Sequence, residues 1–291
     1  MDFKNGKELL ELCKDNDMAI SQVMLRREVT EGESSVEESI ARMQKSLGIM
    51  KRAVATSIEN PKKSIGGLIG GEAKKMAESQ IRICGPVLSD AIAYAMGVLE
   101  VNATMGLIVA APTAGSSGVI PGTFVALEKH ENLSDEVLIN GLFNAAAVGY
   151  LFMRNASVAG AEGGCQAEVG AASAMAASAI AEMLGGSPET CLNAAAFAIS
   201  NILGMVCDPI AGLVEAPCQS RNAIGAANAF TSAQLALSGI DHIVPFDEMV
   251  DIMMDVGRKL PMELRETALG GCACTPTGCD LSCRIFGEAQ R

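Results

Sequence analysis

Apolar residues recur every three or four positions through most of the chain, which is the spacing of one face of an α-helix. The pattern is clearest after Ser34 and Ser35, each followed three residues later by a glutamate, as in a helix-capping box. Apolar side chains then occur at Val36, Ile40, Met43, Leu47, Met50 and Val54. This spacing predicts a helix that ends near residue 58.

Further helices follow from their start and stop signals, such as a proline in the first turn. They are predicted from Pro86 through Val98, Ser134 to near Arg154, Ser187 to Cys207, Pro217 to near Gly239 and Pro245 to near Pro261. Strand signals are short, at residues 107–109 and 119–120. We therefore expect an all-α fold, a compact multi-helix single domain over residues 1–291. The helices of residues 1–60 are expected at its periphery, and residues 264–291 form a Cys-rich tail.

Three glycine-rich segments interrupt the helical pattern: SIGGLIGG (64–71), APTAGSSGVIPG (111–122) and AGAEGGCQ (159–166). Glycines let backbone N–H groups point at an anion. None of the segments has the Lys-Ser/Thr ending of a P-loop or the spacing of a dinucleotide-binding turn. They suit active-site loops for a small carboxylate, or tight helix connections in a core of small residues, and the sequence leaves both open.

Composition and charge narrow the class of protein. Hydrophobic residues make up 49% of the 291 residues but aromatic residues only 3%, so the core must be built from small and aliphatic side chains. The net charge of −12 argues against nucleic-acid binding, which needs clustered Lys and Arg. No secretory signal and no long uninterrupted apolar run are visible, so we expect a cytoplasmic protein without a membrane span.

Three of the ten cysteines, Cys165, Cys207 and Cys218, have the spacing C-x41-C-x10-C and lie beside predicted helix ends. Helix N-termini stabilise thiolates, and three thiolates that converge can hold an iron–sulfur cluster with one iron free of protein ligands. Such an iron can act as a Lewis acid on a substrate. The alternative is that these are ordinary buried cysteines.

The C-terminal cysteines are a second candidate metal site. Their spacing, C-x-C-x4-C-x3-C, matches neither ferredoxin nor zinc-ribbon patterns. They could form a zinc knuckle, donate a fourth ligand to the cluster, or remain exposed thiols. The residues are Cys272, Cys274, Cys279 and Cys283.

Arg221 and Asn222 follow Cys218 on the same predicted helix face, where a guanidinium could clamp a substrate carboxylate or balance cluster charge. His130 and His242 lie in polar connections, and His130 is expected to be solvated. Neither histidine neighbours a nucleophile, which disfavours a Ser-His or Cys-His hydrolase.

The segments SIGGLIGG, APTAGSSGVIPG, AEGGCQAEVG and CDPIAGLVEAPCQSRN resemble the alpha chain of the iron–sulfur-dependent L-serine dehydratases over nearly the whole sequence. The resemblance implies an oxygen-sensitive, PLP-independent, cytoplasmic lyase that converts L-serine to pyruvate and ammonia. It implies a 4Fe-4S cluster on Cys165, Cys207 and Cys218. It also implies the two-subunit type, in which a separate beta chain completes a heterodimer and supplies part of the active site, including a candidate general base.

We expect the substrate to be bound by two of the glycine-rich segments and by the helix after Cys218. The candidate substrate-binding residues are Ser64, Gly66, Gly67, Thr113, Ser116, Ser117, Gly118, Arg221 and Asn222. The sequence does not distinguish serine from cysteine or threonine as the substrate. Rival hypotheses are a cysteine desulfidase-type lyase, a non-enzymatic iron–sulfur redox or sensor protein, and a structural zinc protein.

Overall fold

The computed structural model describes residues 1–32 and 34–287, and within them it contains α-helices, short helical turns and no β-strand. The all-α prediction is confirmed. The helices are α1 (Gly6–Asn16), α2 (Ile20–Glu31), α3 (Val36–Glu59), α4 (Glu72–Glu78), α5 (Gly85–Ala103), α6 (Val119–Glu131), α7 (Asp135–Asn155), α8 (Gly160–Gly163), α9 (Ala171–Met183), α10 (Pro188–Ser200), α11 (Cys218–Leu237), α12 (Phe246–Lys259) and α13 (Pro276–Phe286).

Helix α9 forms the centre of the core, and α7, α10 and α11 pack around it. Its sequence, AASAMAASAIAEM, is alanine-rich, and residues 171–181 are all buried. Small side chains let helix axes approach closely. The same happens where α6 meets α5, because a Cβ on Gly122 would lie 2.8 Å from the carbonyl oxygen of Ala91.

Most predicted helix starts are confirmed. Ser35 and Glu38 form the capping box of α3, Ser134 caps α7, and Ser187 caps α10. The predicted ends are less accurate, since the helix predicted to stop at Val98 continues to Ala103.

Two other local predictions are wrong. Helix α10 ends at Ser200 rather than Cys207, because the chain turns through Gly204, whose φ of +84° is left-handed. Cys207 therefore lies in extended backbone, not at a helix end. The strand signal at 119–120 belongs to the start of α6, and residues 107–109 have no regular structure.

The N-terminal helices belong to the core, contrary to the prediction that they are peripheral. Phe3, Leu9, Ile20 and Val23 are completely buried. The reason is that the apolar faces of α1 and α2 cover α10 and α7, surfaces that the sequence pattern does not reveal. The Asp247 carboxylate of α12 also accepts hydrogen bonds from the first N–H groups of α1.

Among the described residues, one helix, α7, is long and apolar enough to cross a membrane by length and composition. Its most apolar window has a mean hydropathy of 1.4, and 67% of that window is buried inside the protein. Core helices pass the same test, and α7 packs against α2 and α9. This is weak evidence for a membrane span.

The close packing of α6 on α5 predicts opposite effects for two glycine substitutions. Gly122→Ala should lower the free energy of unfolding by about 1–3 kcal/mol, because the added methyl group overpacks the contact. Gly48→Ala in α3 should raise it by up to about 1 kcal/mol, because its Cβ would meet only the Arg52 side chain at 3.5 Å and alanine favours the helix. Denaturant titration of both variants measures the effect. Equal shifts in the same direction would contradict the packing argument.

Candidate active site

The three central cysteines are buried and lie in one region of the molecule. Cys165 precedes a π-helical turn (Gln166–Gly170), Cys207 lies in extended backbone, and Cys218 is the first residue of α11. Burial raises the pKa of Cys165 and of Cys218 to about 12. The pKa of Cys207 is raised most by burial, then by the nearby Cys165 thiol and the Glu168 and Glu266 carboxylates, and least by Cys218. All three are free thiols. Cys165 and Cys218 are close enough to Cys207 to influence its pKa, and the role of the three thiols as ligands of one centre stays a prediction.

The segment that carries Cys165 is fixed by its neighbour Gln166. The Gln166 backbone N–H donates to the Met205 carbonyl at 3.1 Å, and its side-chain oxygen accepts from the Gly204 N–H at 2.7 Å. Its amide nitrogen donates to the Met253 carbonyl of α12 at 2.8 Å. Gln166 thus holds the segment that carries Cys165 against residues 204–205, which lead into Cys207.

Cys207 is positioned by the C-terminal part of the chain. Its N–H donates to the Leu264 carbonyl at 2.9 Å, and its carbonyl accepts from the Glu266 N–H at 2.7 Å. Together these bonds form an isolated parallel β-bridge between Cys207 and Arg265. Residues 57 or more positions away therefore determine where this thiol lies.

Glu168 is a site residue that sequence reasoning missed. Its carboxylate accepts from the Thr113 hydroxyl at 2.8 Å and lies 3.9 Å from the Cys207 sulfur. Burial raises its pKa. A Cβ on Gly160 would lie 2.7 Å from Glu168 Oε2 and 3.1 Å from the Cys207 sulfur, so glycine is needed for this approach. A signal was present, since Glu168 lies three residues after Cys165 in a segment of small residues.

The Arg221 guanidinium lies beside the cysteines but is already engaged. Its Nη2 is 2.6 Å from Asp208 Oδ1, and its Nη1 donates to the Val206 carbonyl at 2.7 Å. Burial lowers the pKa of Arg221, but the neighbouring Cys165, Asp208 and Cys218 raise it overall. Of the two roles considered for this side chain, the geometry favours balancing charge over clamping a substrate.

The loop that contains Ser116 and Ser117 is held by Asn222. The Asn222 side chain accepts from the Gly118 N–H at 3.0 Å and donates to the Gly115 carbonyl at 2.8 Å. Both serines are fully buried. Asn222 therefore binds the loop directly. The same loop carries Thr113, which donates to Glu168.

The first glycine-rich segment binds a carboxylate, as its composition suggested, but that carboxylate belongs to the chain. The Ser64 hydroxyl donates to Glu215 at 2.6 Å, and the N–H groups of Gly66 and Leu68 donate to it at 2.7 and 3.0 Å. Gly67, with a φ of +74°, faces open space. The donors of Ser64 and Gly66 are thus already occupied.

The histidines lie outside this region. His130 is not simply solvated as predicted, because its Nε2 is 2.8 Å from the buried Asp90 carboxylate. His242 packs edge-on against Phe197, and its Nδ1 is 2.7 Å from the Val244 carbonyl. Neither contacts the central cysteines.

The C-terminal cysteines do not form a compact ligand set. Cys274 and Cys279 are exposed, and Cys272 and Cys283 are partly buried. Within residues 1–32 and 34–287, no three His, Cys, Asp or Glu side chains are arranged to hold a single metal ion. The zinc-knuckle hypothesis therefore has no support in the described residues.

The central donor set fits a cluster better than a single ion. A single zinc ion needs its sulfur ligands about 2.3 Å from one centre. Among the described residues, the central cysteines do not form a group compact enough to hold a single metal ion. Cysteine thiolates are the usual ligands of iron–sulfur clusters, and three buried free thiols beside one guanidinium are chemically suited to such an anionic group.

The family profile described as "Serine dehydratase alpha chain" matches residues 15–273. The chain belongs to the serine dehydratase alpha chain family. The match covers all three central cysteines, all three glycine-rich segments and Glu168.

Named relatives agree with this family membership. The chain is 47% identical over 291 residues to a "Probable L-serine dehydratase, alpha chain" of Bacillus subtilis (strain 168), covering 99% of this chain and 96% of that protein. It is 43% identical over 279 residues to the "L-serine dehydratase, alpha chain" of Peptoniphilus asaccharolyticus, covering 95% and 96%. It is 37% identical over 278 residues to an "L-serine dehydratase" of Streptomyces coelicolor, covering 93% of this chain and 60% of that protein.

The burial of the three thiols predicts a labelling order in the cluster-free protein. Because only thiolates react and the pKa of Cys165 and Cys218 is about 12, iodoacetamide at neutral to mildly alkaline pH should leave these two residues unmodified. The exposed Cys84, Cys274 and Cys279 should be labelled first. Peptide mass spectrometry over a time course gives the order. Early labelling of Cys165 or Cys218 would contradict the buried arrangement.

Proposed function

We propose that this chain is the catalytic alpha subunit of an L-serine dehydratase, which converts L-serine to pyruvate and ammonia. The observation that carries the proposal is the convergence of three buried free thiols beside a charged guanidinium in a member of the serine dehydratase alpha chain family. The relatives named above as L-serine dehydratases support the choice of substrate.

Cys165, Cys207 and Cys218 would hold a 4Fe-4S cluster, with no requirement for PLP. When bound, the cluster supplies a Lewis-acidic iron that makes the substrate hydroxyl a better leaving group. The backbone N–H groups of Val169 and Cys218 lie near the sulfurs of Cys165 and Cys218, where they favour negative charge. Arg221 offsets part of that negative charge while its guanidinium stays paired with Asp208 rather than with the substrate.

The loop of residues 113–118 is the stronger candidate for the substrate carboxylate. Its helical turn, Ala114–Ser116, begins with N–H groups that have no partner within the turn. Asn222 holds this loop in place, and Thr113 joins it to Glu168. Donors aimed at the carboxylate favour loss of the Cα proton, because they stabilise the charge that develops. Ser116 and Ser117 in this loop are fully buried.

We further propose that the general base comes from a separate beta chain and that the assembled heterodimer acts in the cytoplasm. The described residues place neither histidine of the chain at the candidate site. The alpha-chain relatives are matched over nearly their whole length, whereas the Streptomyces protein is matched over only 60% of its length. Ten free cysteines suit a reducing compartment.

Single substitutions of the three cysteines test the ligand assignment. Cys165→Ala, Cys207→Ala and Cys218→Ala should each abolish the brown colour, the bound iron and serine turnover after anaerobic purification. Cys191→Ala is the matched control, because Cys191 is equally buried but lies on α10 outside the site. It should keep both iron and turnover. An active, colourless Cys207→Ala protein would refute the proposal.

The substrate is tested by adding amino acids to the anaerobic protein, alone and with a candidate beta chain. L-serine should change the visible spectrum of the cluster and release pyruvate, and the beta chain should raise turnover. Release of pyruvate from L-cysteine but not from L-serine would instead identify a desulfidase. A spectrum that no amino acid changes would indicate a redox or sensor protein.

A further inference from the structure

The carboxylate of Glu215 lies between the second and third cysteines and is almost completely buried, with 3% of the residue exposed. Its Oε1 accepts from the Gly66 N–H at 2.7 Å. Its Oε2 accepts from the Ser64 hydroxyl at 2.6 Å and from the Leu68 N–H at 3.0 Å. Three donors from one loop thus converge on a single acid that lies 149 residues further along the chain.

The loop is shaped around this carboxylate. The Ser64 N–H donates to the Ile69 carbonyl at 3.0 Å, and the Ile69 N–H donates back to the Ser64 hydroxyl at 3.2 Å, which closes the loop on itself. A Cβ on Gly66 would lie 2.9 Å from Glu215 Oε1 and would overlap the Leu213 side chain. Only glycine allows the carboxylate to come this close.

A second buried acid ties the far end of the same loop to the residue after Cys218. Glu100 of α5 accepts from the N–H groups of Gly71 and Ala73, both at 2.8 Å. It also accepts from the Gln219 side chain at 2.8 Å. Glu215 and Gln219, three residues before and one after Cys218, therefore hold the start of α11 against residues 64–73.

We propose that Glu215 is a positioning residue that locks the 64–71 loop onto the Cys207–Cys218 segment and so keeps the Cys218 sulfur in place. The loop then has no free carboxylate-binding capacity, and a substrate carboxylate is bound elsewhere. The link to catalysis rests on the proposed function, but the lock itself does not.

The alternative is that Glu215 is a stand-in that a substrate carboxylate displaces. The contacts disfavour this role. Displacement would strip three hydrogen bonds from a charged group in a buried position, and an unpaired buried charge is strongly unfavourable. An incoming carboxylate would only restore the same bonds to the loop, with no partner left for Glu215.

Hydrogen exchange in the cluster-free protein tests the lock without any catalytic assay. In Glu215→Gln, either orientation of the amide turns its NH₂ group toward the Gly66 or the Leu68 N–H, so one donor loses its acceptor. Exchange across residues 64–71 should become at least about tenfold faster, the effect of losing one hydrogen bond to a charged group. Ser64→Ala, a milder change, should act in the same direction.

Glu182→Gln is the matched control, because Glu182 also accepts one backbone N–H, from Ser21, and one side-chain N–H, from Asn144, but lies near the end of α9 and makes no hydrogen bond to residues 64–71. It should leave exchange at residues 64–71 unchanged. Unchanged exchange in Glu215→Gln, or an equal rise in Glu182→Gln, would overturn the lock, whatever the protein catalyses.

In the cluster-loaded protein, the two roles predict opposite kinetic changes. A positioning role predicts faster loss of the cluster absorbance in air and a lower kcat for Glu215→Gln, with KM little changed. A displaced stand-in predicts a KM that falls by about tenfold or more, since an internal competitor of equal strength has been weakened. A fall in KM without faster cluster loss would overturn the proposal.

Discussion

The ion pair between Asp208 and Arg221 is the contact on which the candidate active site depends. Asp208 follows Cys207 directly, and Arg221 lies one helical turn after Cys218, so the pair joins the two segments that carry these thiols. Asp208 Oδ2 also accepts from the Cys272 N–H at 2.6 Å, which brings in the C-terminal segment. Both side chains are largely buried, so removing either one would leave the charge of the other without its partner. Such a loss lowers the free energy of unfolding by about 3–5 kcal/mol.

Buried acids satisfy the glycine-rich loops around this pair. Glu215 fills the first loop, Glu100 fixes its far end, and Glu168 engages the second loop through Thr113. Backbone N–H groups that are exposed by glycine need acceptors when they are buried. In the first loop the chain supplies those acceptors itself, so residues 64–71 form a rigid part of the site rather than an empty anion site. The helices that pack behind these loops are rich in alanine and glycine, and these small residues let the helix backbones approach one another closely.

The C-terminal segment is part of the same construction. Its bridge to Cys207 and its bond to Asp208 place residues 264–272 beside the candidate cluster site. The predicted Cys-rich tail is therefore attached to the site through its backbone, although its thiols form no compact ligand set in the described part of the chain.

Local sequence patterns are sufficient for features that depend on a few neighbouring residues. The cap of α3 at Ser35, the start of α11 at Cys218, and a loop of residues 64–71 that suits a carboxylate all follow from local propensity and spacing. Long-range packing sets which carboxylate enters that loop, brings Glu168 to the cysteines, and buries α1 and α2. These outcomes depend on pairs far apart in the chain, and a local pattern shows that a group needs a partner but not which partner the fold will bring to it.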